Sequence, residues 1–509
     1  MTLIEALAVD LAAANYTVDA LTDLWGPDAA AALHRGHRVP ALRSLPSGTP
    51  LSTLATAFVL GLPVTATALD VALPTLGSQG AVDLGLVSWE GVPLLDLRPY
   101  SVIDARGVAR WWIASDLGEL ALGHAIPENH VLGVGGASTT LSGLMMAEPV
   151  DLALDLGTGC GIQALHAARH ATRVIATDIS QRALDLAQFN AALNGFDNIE
   201  FRLGSLFEPV ADELFGHIVS NPPFVITPRG PSGVPEYEYR DGGMVGDAIV
   251  ASVILGADAR LAPGGVAQLL GNWEYGTADG LDRVRGWVEQ TGLDAWVIER
   301  ERQDAALYAE TWIRDGGTRP GPEFDRLYSA WLDDFAARGV TEVGFGYITL
   351  RRPVGPATLR RFEVLSAPLG GSLGDHIAAS LVAHDWLSAR DDAALYREAL
   401  TIAPDVTEER HYWPGEDHPT VILLRQGAGF ARTTQAGTAI AAVIGACDGE
   451  LAVGAICAAV AELLEVDAVA LAAEVMPQVR ELVFTGMLAT PYSVLTRFKT
   501  PWHCGHDGV

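Results

Sequence analysis

The apolar positions from Leu3 to Ala14 suit one helix, and Leu21, Leu24 and Trp25 continue at helical spacing. Pro27 opens a further turn or two toward Leu33. Pro50–Leu60 and Thr65–Leu73 read as two more helices around the break Gly61-Leu62-Pro63. Residues 1–90 are expected to form a helical or winged-helix-like domain. Over residues 91–149 the period shortens. Leu94–Leu97, Tyr100–Ile103 and Trp111–Ser115 read as short strands with polar turns. This strand-rich connector ends in a glycine-rich run, His130 to Met145, that is uncharged apart from its histidine.

From 150 to 352 strand and helix patterns alternate, the mark of a parallel sheet covered by helices. Strands are expected at Leu152–Leu156, Arg173–Thr177, Ile199–Leu203, His217–Ser220 and Gly265–Leu270. Helices are expected at Gln163–Arg169, Ser180–Asn194 and Gly246–Leu261. Trp296–Arg300 and Val343–Leu350 are placed as an antiparallel pair at the sheet edge. Residues 353–509 read as a further, winged-helix-like unit. It would hold a strand Arg361–Val364, a glycine-rich turn Gly370–Gly374 and a helix through Trp386. Two helices follow about the turn Cys447-Asp448-Gly449, and a third ends near Leu488.

Composition adds limits to that picture. The 509 residues are too many for one core. With 49% hydrophobic and 19% charged residues, general disorder is excluded. The four cysteines, Cys160, Cys447, Cys457 and Cys504, are scattered without a CxxC pair, so neither a disulfide framework nor a zinc ribbon is expected. The uncharged stretch Ser44–Leu69 is cut by Gly61-Leu62-Pro63 and diluted by Ser and Thr, which fits buried helices better than a membrane span. The first residues do not form a signal peptide, and a cytoplasmic location is expected. Lysine and arginine total 33 against 62 acids, a formal charge of −29, and Lys499 is the single lysine. That balance disfavours a long duplex partner, because phosphate contacts need cations.

The candidate chemistry lies in Asp151–Gly161, DLALDLGTGCG. Asp155 sits inside a strand; Gly157, Gly159 and Gly161 then alternate with Thr158 and Cys160 before a helix. Glycines there let the backbone turn sharply and approach a ligand. The spacing is GxGxG rather than the dinucleotide GxGxxG. Asp178 closes the second strand, where a carboxylate can accept both ribose hydroxyls. Ser205 and Leu206 follow the third strand, beside the place for an adenine ring. Asn221-Pro222-Pro223-Phe224 ends the fourth, at the carboxyl edge where such sheets bind ligands. The Asn221 side-chain oxygen and the Pro222 carbonyl can take the two hydrogens of a planar –NH2, with Phe224 as a flat apolar face. Positioning of that kind suits methylation of a conjugated nitrogen.

DLGTGCG followed by VIATDIS and VSNPPF resembles the class I S-adenosylmethionine-dependent methyltransferases. Within them it resembles the NPP(F/Y) group: release-factor glutamine methyltransferases and ribosomal-RNA guanine-N2 and adenine-N6 enzymes. The likeness covers about residues 130–275. It implies a Rossmann-like α/β sheet, with the flanking modules helical or winged-helix-like, and S-adenosyl-L-methionine as cofactor. Asp155, Gly157, Thr158, Gly159, Gly161, Asp178, Ser205, Leu206 and Asn221 would bind that cofactor. Asn221, Pro222 and Phe224 would be catalytic. Thr139 and Thr140 resemble the segment ahead of the cofactor loop. Two departures stand out: Ser205 replaces a common acid, and Gly216-His217 stands where relatives have other residues after the phenylalanine.

Pro223, Trp273 and Tyr275 are candidate acceptor-binding residues, the last two because they follow the fifth strand. Tyr237 and Tyr239 are candidates for a lid. The charge favours a protein or peptide acceptor, such as a glutamine amide, slightly over RNA or DNA. A small metabolite and an inactive, purely binding fold are the remaining readings. Neither His411, Glu416 and His418 nor the tail residues His503, Cys504 and His506 are read as a metal site.

Overall fold

The architecture is given by a computed structural model that describes residues 1–104, 106–122, 127, 129–228, 242–367 and 373–491. The chain separates into two compact units: residues 1–142 with 148–364, and residues 143–147 with 365–509.

The first unit opens with helices. Thr2 and Glu5 form a capping box on α1 (Leu3–Ala13). α2 (Val18–His34) bends at Gly26, whose φ of 74° breaks the helix before Pro27 restarts it. α3 (Val39–Ser44), α4 (Pro50–Leu54), a π-helical turn Ala55–Val59, α5 (Ala66–Ala72) and α6 (Gly77–Asp83) follow. α6 was not expected, because its stretch GSQGAVD lacks an apolar stripe. The described residues of 1–90 form helices and no strand, so the wing of a winged helix is absent from that stretch.

Two of the expected connector strands are one. β1 (Leu95–Asp104) runs through Pro99 and pairs antiparallel with β2 (Gly107–Asp116). Pro99 lies opposite Trp112, whose backbone N–H and C=O both bond to Asn194 on the far side. That position needs no ladder donor, so proline is tolerated. Short helices α7 (Glu119–Leu122) and α8 (Gly136–Leu144) lead into the sheet.

The central sheet uses β3 (Val150–Leu156), β4 (Ala171–Asp178), β5 (Ile199–Leu203), β6 (Phe215–Ser220), β7 (Leu261–Tyr275), β8 (Asp294–Asp304), β9 (Glu342–Arg351) and β10 (Arg360–Val364). Their order is β10-β8-β9-β7-β6-β3-β4-β5. β9 alone runs antiparallel to its neighbours. Two expectations are corrected here. The pair β8 and β9 does not form the edge, because β10 pairs parallel with β8 outside it. Arg361–Val364, placed with the C-terminal unit, is that edge strand, and the sheet therefore runs past residue 352 to Val364. The covering helices are α9 (Ile162–Ala167), α10 (Gln181–Leu193), α11 (Ala248–Asp258), α12 (Gly280–Val288), α13 (Ala305–Asp315) and α14 (Pro322–Arg338).

One continuous apolar core joins the N-terminal helices, the hairpin and the α9–α10 face of the sheet. Tyr16, fully buried in it, donates its hydroxyl to the Leu97 carbonyl at 2.7 Å. Its own carbonyl accepts from Trp112 Nε1 at 2.7 Å.

The second unit holds α15 (Leu373–Ser388), α16 (Asp392–Leu395), α17 (Thr438–Gly445), α18 (Val453–Leu463) and α19 (Ala468–Phe484). Its strands are β11 (Ala399–Ile402), β12 (Val406–His411), β13 (Val421–Gln426), β14 (Thr433–Ala436), β15 (Asp448–Ala452) and β16 (Leu488–Ala489). They form two small sheets, β15-β11-β16 and β12-β13-β14. The expected turn at Asp448-Gly449 is instead the start of β15, paired to β11. Among the described residues no helix is long and apolar enough to cross a membrane.

Candidate active site

The chain runs from β3 outward through β4 to β5, then returns to β6 on the other side of β3. Ligands bind at such reversals, outside the carboxyl ends of the strands. A cleft of about 200 Å³ opens there, lined by the ends of β3, β4, β5 and β6 and by the segment His130–Gly133. Parallel register brings Asp155 level with Ala176 and Val219, and Leu156 level with Thr177 and Ser220. Ser220 Oγ donates to the Leu156 carbonyl at 2.8 Å and ties the two strand ends together.

The glycine loop is folded onto β4. Gly157 and Thr158 both donate their N–H to the Thr177 carbonyl at 2.9 Å. Gly157 and Gly159 take φ of 76° and 54°, with open space where a side chain would stand. Gly161, at φ 87°, lets α10 approach: a Cβ there would meet Ala187 at 3.0 Å. Asp178 accepts from Gly159 N–H through one oxygen and from Ser180 N–H through the other, each at 2.9 Å. It thus caps the turn into α10 and braces the glycine loop at once.

Asp155 lies beneath the loop, wholly buried. Thr158 Oγ1 donates to its Oδ2 at 2.6 Å, while Oδ1 has no hydrogen-bond partner. Burial pushes this carboxyl up to about 7, against the pull of the Thr158 hydroxyl. Ser205 and Leu206 line the cleft beyond β5, and Leu206 holds a left-handed φ of 47°.

Asn221, Pro222 and Pro223 line the other end with Gly242, Met244 and Ile249. The Asn221 Oδ1 is buried and has no hydrogen-bond partner. Phe224 is buried and does not line the cleft; its ring packs on Phe345 at 5.5 Å and 47°. Trp273 and Tyr275 also stand elsewhere. β7 does not stop near Leu270 but continues to Tyr275, so both residues lie within the sheet. Trp273 is fully buried, and its Nε1 donates to Glu299 Oε2 at 2.8 Å; the Tyr275 hydroxyl donates to the same oxygen at 2.5 Å. Tyr237 and Tyr239 fall outside the described residues, as do the tail residues His503, Cys504 and His506. Among the described residues no group of three or more His, Cys, Asp or Glu is arranged to hold a metal ion.

Sequence reasoning missed His130, Val131, Ser138 and Gln163, all of which line the cleft. Gln163 Nε2 donates to the Ser138 carbonyl at 2.8 Å and joins α8 to α9. The uncharged, glycine-rich run around Ser138 was the available signal. The residues present fit S-adenosylmethionine. An open glycine loop, a two-oxygen acid at the end of β4 and the bare Asn221 oxygen suit its methionine portion, its ribose and an incoming amine. Asp155 and Gly161, expected among the cofactor residues, do not line the cleft: Asp155 is wholly buried beneath the loop and Gly161 faces Ala187 of α10.

Comparison with known proteins bears on the same segment. Residues 135–294 match the methyltransferase small domain. Residues 13–97 and 378–490 match two domains of unknown function, DUF7059 and DUF7782. A release factor glutamine methyltransferase of Xylella fastidiosa (strain Temecula1) is 40% identical over 148 residues, 28% of this chain and 52% of that protein. A ribosomal protein uL3 glutamine methyltransferase of Bradyrhizobium diazoefficiens is 33% identical over 146 residues, 27% of this chain and 45% of that protein. A solved ribosomal protein L11 methylase from Lactobacillus delbrueckii subsp. bulgaricus overlaps 43% of this chain and 81% of its own, at 21% identity and a TM-score of 0.26. The chain spans about half the length of the curated relatives it matches. Residues 135–294 thus carry a methyltransferase small domain, and the chain resembles the class I S-adenosylmethionine-dependent methyltransferases of the release-factor glutamine group.

Proposed function

We propose that the protein is an S-adenosylmethionine-dependent N-methyltransferase that acts on a glutamine side-chain amide of a protein or peptide. The observation that carries this reading is the buried, unpartnered Oδ1 of Asn221, a residue that lines the cleft. A bare buried acceptor costs about 1–3 kcal/mol, so the site favours a ligand that brings an N–H. A carboxamide brings two, one for Asn221 Oδ1 and one for the Pro222 carbonyl. Both would then take up the positive charge that grows on the nitrogen as it accepts the methyl group.

The cofactor supplies an electrophilic methyl carbon; the chain binds, orients and excludes water. Asp178 is assigned to the ribose hydroxyls, Ser205 and Leu206 to the base, and Asp155 with Thr158 and the glycine loop to the methionine portion. Pro222 and Pro223 hold the acceptor segment stiff. Phe224 has the supporting role of packing that segment against Phe345.

The choice of a protein acceptor over RNA or DNA is supported by the cleft wall. Among the described residues no arginine or lysine lines it. A phosphate-bearing acceptor would find no cation there. The names of the relatives point the same way. The C-terminal unit, with its helices and two small antiparallel sheets, is read as a winged-helix-like accessory module.

The test uses tritiated methyl donor and a soluble extract. Label in a protein fraction, lost to proteinase but not nuclease and released as methylamine by acid hydrolysis, is the expected result. Label that follows RNA or DNA would overturn the protein assignment.

A further inference from the structure

The β1–β2 hairpin packs behind the wall of the cleft, against α10 and the segment at Val131. Alternate residues of β2 are held along α10 and its C-cap. Trp112 is bonded to Asn194, Ala114 to Asn190, and Asp116 to Arg182. The last of these rungs is an ion pair: Arg182 Nε lies 3.1 Å from Asp116 Oδ2, and a second guanidinium nitrogen reaches Oδ1. Asp116 then turns to the neighbouring segment. Its Oδ2 accepts the Val131 N–H at 2.8 Å, and its own N–H donates to the Val131 carbonyl at 3.1 Å. The next residues sit tightly on the hairpin, for a Cβ on Gly133 would stand 2.7 Å from Ser115 Oγ.

Both ends of this chain of contacts line the cleft. His130–Gly133 form one wall; Asp178–Ser180 and Ala183, at the start of α10, form the facing one. A single carboxylate therefore bonds to both sides, to Val131 in one and to Arg182 of α10 behind the other. His130 is buried in the first wall, with Nδ1 3.9 Å from Asp116 Oδ2.

We propose that the Asp116–Arg182 ion pair is a latch that sets His130–Gly133 against the start of α10 and so shapes the methyl-donor site. The inference rests on reading the cleft as the S-adenosylmethionine site. Asp116 and Arg182 are positioning residues: they act through Val131 and through α10, and neither lines the cleft. The β1–β2 hairpin thus supports the donor site from behind, through Asp116, without lining it.

Arg182 is half-exposed, so Arg182→Gln is compatible with the fold. Calorimetric titration of the full-length protein with S-adenosylmethionine should show the dissociation constant raised about tenfold in Arg182→Gln, the size of one lost charge-assisted bond. Arg182→Lys, which keeps the charge, should restore part of that loss. Asp116→Asn with Arg182→Gln should be no worse than Asp116→Asn alone, because the two act as one unit. Without ligand, hydrogen exchange at the Val131 amide should speed up in Arg182→Gln while the melting temperature barely moves. Unchanged affinity in Arg182→Gln, beside normal binding by the unaltered protein, would overturn the latch and leave the donor site standing. Failure of the unaltered protein to bind S-adenosylmethionine would overturn the donor site and the latch with it.

Discussion

Asn190 gives Ala114 both halves of a strand partner. Its Oδ1 accepts the Ala114 N–H at 2.7 Å, and its Nδ2 donates to the Ala114 carbonyl at 2.9 Å. The second hydrogen on Nδ2 goes to the Cys160 carbonyl in the glycine loop, at 2.8 Å. One turn later Asn194 repeats the pattern on Trp112. Two side chains on a helix thus satisfy the outer edge of β2, which would otherwise bury unpaired backbone groups.

Asn190→Leu should cost roughly 3 kcal/mol, since several buried groups lose their partners at once. Denaturant unfolding reads this as a lower midpoint at unchanged slope. A loss under about 1 kcal/mol would show that the Ala114 backbone finds other partners.

Asn221→Ala should abolish methyl transfer, by about 100-fold or more, while calorimetry finds donor affinity nearly intact. Transfer that survives the substitution would remove Asn221 from the acceptor site.

Asp178→Ala should weaken donor binding by about tenfold or more, the cost of losing hydrogen bonds to a charged group. Unchanged affinity would mean that Asp178 serves the Gly159 and Ser180 amides alone.

A buried imidazole pair predicts a pH effect. His170 Nε2 lies 2.8 Å from His217 Nδ1, and His217 Nε2 lies 3.1 Å from Gln268 Oε1. Burial lowers His170 to about 3, helped by the neighbouring His217 and Arg106; burial also lowers His217, to about 4. Both are neutral in the fold, whereas the unfolded chain protonates them near their ordinary value of 6.5. Their contribution is intact above pH 6.5 and is lost as pH falls through 6.5 toward 4. The buried Asp155, raised to about 7, acts in the opposite sense over the same window, so the comparison must be with a variant. His217→Gln should flatten the fall in stability between those pH values by roughly 2 kcal/mol. Parallel curves for the two proteins would refute the assignment.

Trp273→Phe should lower stability without changing donor affinity, because Trp273 supports Glu299 and does not line the cleft. A large loss of donor or acceptor binding at unchanged stability would return it to the site.

The donor half of the site was legible because its parts are local. A strand, three glycines and the acid closing the next strand are fixed by neighbours in sequence, and Gly157, Thr158, Gly159 and Asp178 line the cleft while Asp155 and Gly161 stand behind it. Trp273 and Tyr275 misled because their role depended on where β7 ends. Pairing with β9 along ten residues, Val266 to Tyr275, extends β7 beyond the point where its own pattern fades. β10 was expected as a strand at Arg361–Val364 but given to the wrong unit, since a five-residue strand declares no partner. His130 lines the cleft because the chain folds back past Asp116, and Asp116, which carries no local signal, matters through its bonds to Val131 and Arg182.

The match to the methyltransferase small domain ends at residue 294, where β8 begins. A polypeptide trimmed to that match would lose β9 and leave fifteen-residue β7 as an open border. Such a border recruits further copies of itself. It would also lose the hairpin and the residues around His130 that precede position 135. Likeness and structural completeness therefore have different limits in this chain: the methyltransferase match covers 135–294, whereas the compact unit that completes its sheet takes in residues 1–142 and 148–364.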